Sequence, residues 1–354
     1  MKFSGVVAAN LRCFSQLTYQ PEGQSNLIVG ANGSGKTSVL EALAVASLGK
    51  SFLVNRSRDL IRNGQVAMSL QAELVDSHDH HYRVAVQKQG GETKISFDGQ
   101  IVQAASDLAQ RVPMIVINSK IGDVLTESPA NRRALIDRTL FHVERGYIDD
   151  WKRYRQTLRQ RNQLLRTGAK DGEFEFWNQQ LAERALSIDG KRRELLAEIN
   201  QRFAQIELRD GPGELLWEYL PGWDVEKPLT EQLAATCERD RKLGHTSLGI
   251  HRADLVLKAD GKGVSRRLSR GQSKYLVVHM YLALAHYMKK IRGFAPIALI
   301  DDLSAELDDK MRGALVDIIQ QGSGQQFYTA IRESDLPEIA QRTSNLFHVE
   351  QARA

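Results

Sequence analysis

"IVGANGSGKT", Ile28 to Thr37, follows an apolar run and packs three glycines, one lysine and a closing hydroxyl into ten residues. From Gly30 to Thr37 the spacing is G-x-x-x-x-G-K-T. Leu27-Ile28-Val29 reads as the end of a buried strand, and "SVLEALAVASLG" beyond the loop spaces its apolar residues as a helix does. A loop with so few side chains between a strand and a helix has a physical use. Its backbone curls around an anion with the N–H groups turned inward, at the positive end of the helix dipole. An ordinary glycine-rich turn requires neither flank. Lys36 is expected to reach the β- and γ-phosphates of a nucleoside triphosphate, and Thr37 to ligate magnesium. The cradle comprises Gly30, Ala31, Asn32, Gly33, Ser34, Gly35, Lys36, Thr37 and Ser38.

The composition allows this and excludes other classes. A chain of 354 residues can form two or so domains. Its 42% hydrophobic and 26% charged residues are ordinary for a soluble globular protein. No apolar run approaches the about 20 residues that cross a bilayer, and Arg12 interrupts any N-terminal signal core, so a cytoplasmic protein without a membrane partner is expected. Cys13 and Cys237 are too few and too far apart for a metal site or a disulfide framework. A net charge of +5 permits a polyanionic partner.

Between Val66 and Val102 the pattern alternates: "AMSLQAELV", "YRVAVQKQ" and "TKISFDGQIV" form an expected antiparallel meander. His78-Asp79-His80-His81 falls at a hairpin tip and reads as a solvated turn. From Asn131 the chain turns helical and polar. Trp151, Tyr154, Leu158 and Leu165 share one helix face, and Trp177, Leu181, Ile188, Leu195, Ile199, Phe203 and Ile206 share another. Two long amphipathic helices around a short loop predict an antiparallel hairpin, an arm on the nucleotide domain. The first is basic: Lys152, Arg153, Arg155, Arg159, Arg161 and Arg166 lie in a stretch without an acid, which reads as a candidate DNA surface or equally as a solvated face or a surface for a protein partner. "GPG" at Gly211 to Gly213 and "PGW" at Pro221 to Trp223 break the helices, and "SLGIHRADLVLKAD" returns to a sheet.

The second half of the site lies far along the chain. "IALIDDLSAELD", Ile297 to Asp308, is a buried strand ending in paired carboxylates, where a magnesium-organising acid belongs beside a phosphate loop. Asp301 is expected to hold the metal through water, and Asp302 to position or deprotonate the attacking water. Upstream, "LSRGQ" (Leu268 to Gln272) precedes an apolar helix. Ser269 and Gly271 offer a hydroxyl and bare backbone at its N-terminus, a second anion site.

In this order, "GANGSGKT", "LSRGQ", "LIDD" and "SAELD" resemble the RecF family of SMC-like ATP-binding-cassette ATPases. "NLRCF", "RDLIR", "SPANRRALID" and "GIHRADL" fall in the family order over nearly the whole chain. The resemblance implies an α/β fold: a phosphate-loop head with an antiparallel β subdomain and an inserted helical arm lobe. Residues 1–130 would form the N-terminal half of the ATPase head, 131–243 the arm lobe, and 244–354 the C-terminal half. It adds Arg12, Gln272 and Asp308 to the nucleotide contacts. Ser269 would touch the γ-phosphate of ATP held by a partner subunit, joining Lys36 and Asp302 as a catalytic candidate, and the segment through Asp308 would cross the dimer interface. Three departures stand out: Ser119-Lys120 replaces a Pro-Glu pair, Ile250 a proline and Leu53 an arginine. No catalytic histidine is assigned, since the last core strand reads "QQFYTAI".

The implied function is an ATP-switched DNA-binding protein of recombinational repair and replication-gap processing, with weak DNA-dependent ATPase activity. ATP and magnesium would drive a homodimer onto single- and double-stranded DNA and gapped junctions, and hydrolysis would release it. RecR with RecO, and indirectly RecA, are the implied partners. The alternative is a coupling ATPase of transport or defence. Transport enzymes usually carry a Gln-bearing loop and a His, neither of which is evident here.

Overall fold

The alternating segment folds as its pattern requires. In the computed structural model, which describes residues 1–54, 56–204, 206, 213–303, 307, 309–343 and 345–350, strands Ala67–Val75, His81–Gln89 and Glu92–Phe97 pair antiparallel. Met68, Leu70, Ala72 and Leu74 point inward while Ser69, Gln71 and Glu73 face solvent, the period of two of a half-buried strand. With Phe14–Tyr19, Lys2–Leu11 and Gln100–Ile101 they complete a six-stranded sheet in the order Phe14–Tyr19, Lys2–Leu11, Ala67–Val75, His81–Gln89, Glu92–Phe97, Gln100–Ile101. At the hairpin tip, Asp76 Oδ1 accepts the backbone N–H groups of His78 (2.7 Å) and His80 (3.1 Å), a side-chain-locked turn.

A second sheet is parallel throughout, in the order Asn345–His348, Ser25–Val29, Gln326–Ala330, Ile297–Ile300, Met114–Ile117. Ser25–Val29, Gln326–Ala330 and Ile297–Ile300 are buried at every position, as in sheets covered on both faces. The helix Lys36–Leu48 is buried at every residue from Val39 to Leu48. One core cluster joins Val6 and Leu70 of the antiparallel sheet to Leu40 and Leu43 of this helix and to Leu299 and Phe327 of the parallel sheet. A helix packed on two sides needs apolar residues all round, which is why the stretch is so rich in Ala, Val and Leu. Truncating Leu43 to Ala here costs about 2–5 kcal/mol.

The contacts divide the chain into residues 1–122 with 274–354, which hold both sheets, and residues 123–273. In the second unit, helices Tyr147–Thr167 and Phe174–Phe203 form the arm. They run antiparallel: Asp150, early in the first, meets Ser187 and Lys191 of the second, whereas Arg161, later in the first, donates to Asn178 (2.8 Å). The helix Pro129–Val143 packs on the arm through Asp137, which takes Arg192 bidentately at 2.8 and 2.9 Å. A three-stranded sheet in the order Lys262–Gly263, Asp254–Ala259, Leu215–Leu220 completes the unit. Leu215–Leu220 lies in "ELLWEYL", between the breaks at Gly211 to Gly213 and Pro221 to Trp223, a strand that those breaks alone do not announce. The expected helical continuation through residues 207 and 208 and the Gly211-Pro212 break lie outside the described residues.

Candidate nucleotide site

The phosphate loop leaves the fully buried strand Ser25–Val29 and enters the helix that begins at Lys36. Two of its glycines are dictated by space. A Cβ on Gly30 would lie 2.6 Å from both Ser34 Oγ and the Val349 carbonyl. One on Gly35 would meet the Phe14 ring at 2.7 Å and Cys13 Sγ at 2.8 Å, on a backbone at φ 111° that side chains rarely adopt. Beneath the loop, Ser34 Oγ is buried without a hydrogen-bond partner among the described residues. Lys36 Nζ donates to the carbonyls of Gly30 (2.7 Å) and Ala31 (3.0 Å), so the ammonium sits over the loop it serves. Desolvation lowers its pKa, opposed by the charges of Asp301 and Asp302.

Sheet order brings the distant carboxylates to this loop. The strand Gln326–Ala330 lies between Ser25–Val29 and Ile297–Ile300, and all three run parallel, so their C-terminal ends share one edge, where ligands of open α/β sheets collect. Thr37 Oγ1 donates toward both Asp301 oxygens at 3.1 Å. Thr329 Oγ1, from the intervening strand, donates to Asp301 Oδ1 (2.8 Å) and accepts the Asp302 N–H (3.0 Å). Burial raises the Asp301 pKa, as does the neighbouring Asp302; hydrogen bonds from Thr329 and Thr37 and the charge of Lys36 oppose the shift. A hydroxyl and a carboxylate in contact are hard oxygen donors that suit magnesium. Thr329 had no motif to announce it. Its position in "QQFYTAI", ending a strand beside the Asp pair, was the available signal.

Other assigned residues fall differently. Arg12 grips the buried Glu41 bidentately, Nε to Oε2 at 2.6 Å and Nη2 to Oε1 at 2.7 Å, while Nη1 donates to the Asp59 carbonyl at 2.8 Å. The Glu41 bond raises the Arg12 pKa. The Arg12 side chain therefore spans from the turn between Lys2–Leu11 and Phe14–Tyr19 to the phosphate-loop helix, and Glu41 is the partner that sequence reading missed. Ser269 caps the helix Arg270–Arg292: its N–H donates to Gln272 Oε1 (3.0 Å) and its Oγ accepts the Gln272 N–H (3.2 Å). Ser269 is exposed, and Gly271 and Gln272 are half-buried beside it. Asp308 lies outside the described residues.

On the arm, Lys152, Arg153, Arg155, Arg159 and Arg166 are exposed, with Arg155 stacked 4.7 Å from the Trp151 ring centre. Arg161 is not part of that surface. It is 0% exposed and donates to Asn178, to Asp240 and Thr246 at 2.8 Å each, and to the Leu233 carbonyl at 2.9 Å. Its assignment to DNA is therefore withdrawn. On a helix a basic run winds through every direction, and position 161 shares the inward face with Tyr154 and Leu165.

A glycine-rich loop between a buried strand and a buried helix, with an Asp pair two strands away on a parallel sheet and an antiparallel sheet behind, defines a phosphate-loop head of the ATP-binding-cassette class. The chain belongs to the RecF family: the RecF/RecN/SMC N terminal domain family matches residues 3–354. The DNA replication and repair protein RecF of Vibrio atlanticus (strain LGP32) is 34% identical over 355 residues, covering 100% of this chain and 99% of that protein. That of Stutzerimonas stutzeri (strain A1501) is 36% identical over 360 residues, covering 100% and 97%. In fold the chain is similar to a structure of the recombination mediator protein RecF-ATP in the RecFOR pathway (TM-score 0.87, 22% identity, covering 99% of this chain and 96% of that one). It is also similar to an Smc head bound to the C-winged helix domain of ScpA (TM-score 0.58, 16% identity, covering 99% and 95%). No helix among the described residues is long and apolar enough to cross a membrane.

Proposed function

We propose that the protein is an ATP-switched DNA-binding protein of recombinational repair and replication-gap processing. One observation carries the nucleotide half of this reading: Thr37 Oγ1, Asp301 and Lys36 converge at the C-terminal edge of the parallel sheet, with the phosphate-loop backbone beside them. The loop N–H groups and Lys36 bind the phosphates, and Thr37 with Asp301 holds magnesium, which supplies charge neutralisation at the γ-phosphate. Asp302, exposed at the same edge, orients the attacking water. Its carboxylate is one methylene shorter than a glutamate, which favours slow turnover. Ser269 serves the nucleotide of a second copy, so two ATP molecules glue two heads together and hydrolysis releases them. Family membership and the relatives' names as DNA replication and repair proteins support DNA as the target, and gapped junctions are the form this reading implies. RecR with RecO, and indirectly RecA, are the partners this reading implies.

The test is size and DNA retention with and without ATP·Mg. Wild-type protein is expected to dimerise and hold gapped DNA only with nucleotide, and Lys36→Ala to lose ATP affinity by at least about 100-fold, the loss of a charge-assisted phosphate contact. DNA retention that ignores both ATP and Lys36 contradicts the switch.

A further inference from the structure

A lysine is buried where the mechanism has assigned none. Lys274 is 1% exposed, on the helix that Ser269 caps. Its Nζ donates to two successive main-chain carbonyls, Asp302 O at 3.2 Å and Leu303 O at 3.3 Å. A buried ammonium is tolerated only where acceptors meet it, and lysine has three donors to satisfy. The carbonyls it holds belong to an unusual piece of backbone. Asp302 has φ 55°, in the left-handed region that favours glycine. That conformation turns the chain sharply after Ile300, and it persists because the peptide groups on both sides are held. Thr329 Oγ1 takes the Asp302 N–H, and Lys274 takes the Asp302 carbonyl. The Asp302 carboxylate itself is left exposed.

We infer that Lys274 is a positioning residue: it fixes the left-handed main chain of Asp302 and so aims the carboxylate that orients water, from the helix that Ser269 caps. The inference rests on the ATPase reading above. A change in the setting of that helix would reach the main chain of Asp302 through the Lys274 ammonium. Rates of reactions that depend on aimed groups fall about 100-fold for misplacements near 1 Å. Lys274→Met keeps the stem and removes the donors. It is expected to bind ATP within about threefold of wild type and to turn over at least about tenfold more slowly, a kcat effect without a matching KM effect.

The decisive comparison uses Asp302→Asn. Because Lys274 acts through Asp302, Lys274→Met in the Asp302→Asn background is expected to add less than about twofold in single-turnover rate. Full multiplication of the two defects overturns the proposal, as does a Lys274→Met enzyme with wild-type kcat. Lys274→Gln, which keeps one donor at similar length, is expected to lie between wild type and Lys274→Met. Should the methionine variant not fold, wild-type turnover in folded Lys274→Gln overturns the inference alone. No ATP hydrolysis by wild-type protein would instead overturn the ATPase reading first.

Discussion

His251 shows how far burial governs a residue that the sequence only marked as neighbouring a departure from the family pattern. Its Nε2 lies 3.0 Å from the Thr246 carbonyl, which can only accept, so Nε2 carries the proton and Nδ1 accepts the Tyr154 hydroxyl at 2.7 Å. Both sites are used by the neutral ring. Desolvation pushes its pKa down to about 4; the Thr246 contact opposes this, and the charges of Arg252, Arg133 and His245 assist it. A depressed histidine stabilises the fold fully above its unfolded pKa, near 6.5, and that contribution fades as pH falls toward 4. It is worth at most about 3 kcal/mol. Chemical denaturation from pH 7 to 4.5 should therefore show wild type losing more stability than His251→Gln. Parallel stability curves for the two proteins would mean the ring is not held neutral.

At the scale of the element, the first arm helix presents two chemically different faces. Lys152, Arg153, Arg155 and Arg159 are exposed, whereas Tyr154, Arg161 and Leu165 are buried. Phosphate contacts are additive in charge and weaken with salt, so Arg155→Glu with Arg159→Glu is expected to reduce DNA affinity and flatten its dependence on salt. Arg161→Met supplies the contrast. It leaves Asp240 buried without its guanidinium, which destabilises the fold by about 3–5 kcal/mol, while the salt slope of the folded fraction stays unchanged. Unaltered affinity in the exposed double variant at every salt concentration would move the DNA surface off this helix. Residue spacing revealed the amphipathic helix and its positive charge, but not which of the six basic residues turned inward. That choice follows from Asn178, Asp240, Thr246 and Leu233, residues from 17 to 85 positions away.

For the whole molecule, one phosphate loop, one LSRGQ segment and one Asp pair per chain supply each element once. Head-to-tail pairing about a two-fold axis would make two composite sites. Lys36→Ala should fail to bind ATP, and Ser269→Arg should bind it as a monomer without dimerising. Their heterodimer has one site with both defects and one with neither. Mixing them is expected to restore up to half of the wild-type ATPase per heterodimer, read together with ATP-dependent DNA retention. A mixture as inactive as its components, under conditions where wild-type subunits exchange freely, would rule out shared sites.

Sequence alone determined the phosphate loop, the meander, the arm hairpin and the identity of the Asp pair, because each is announced locally by glycine spacing, by a period of two or of 3.6, or by an apolar run ending in charge. The tertiary structure decided what depends on partners distant in the chain. It set Thr329 between loop and Asp pair through the order of parallel strands, joined Arg12 to Glu41, and placed Lys274 under Asp302. It also paired Leu215–Leu220 with Asp254–Ala259 and buried Arg161. A buried charge or hydroxyl is specified by the acceptors that surround it, and those acceptors are assembled only when the chain has folded.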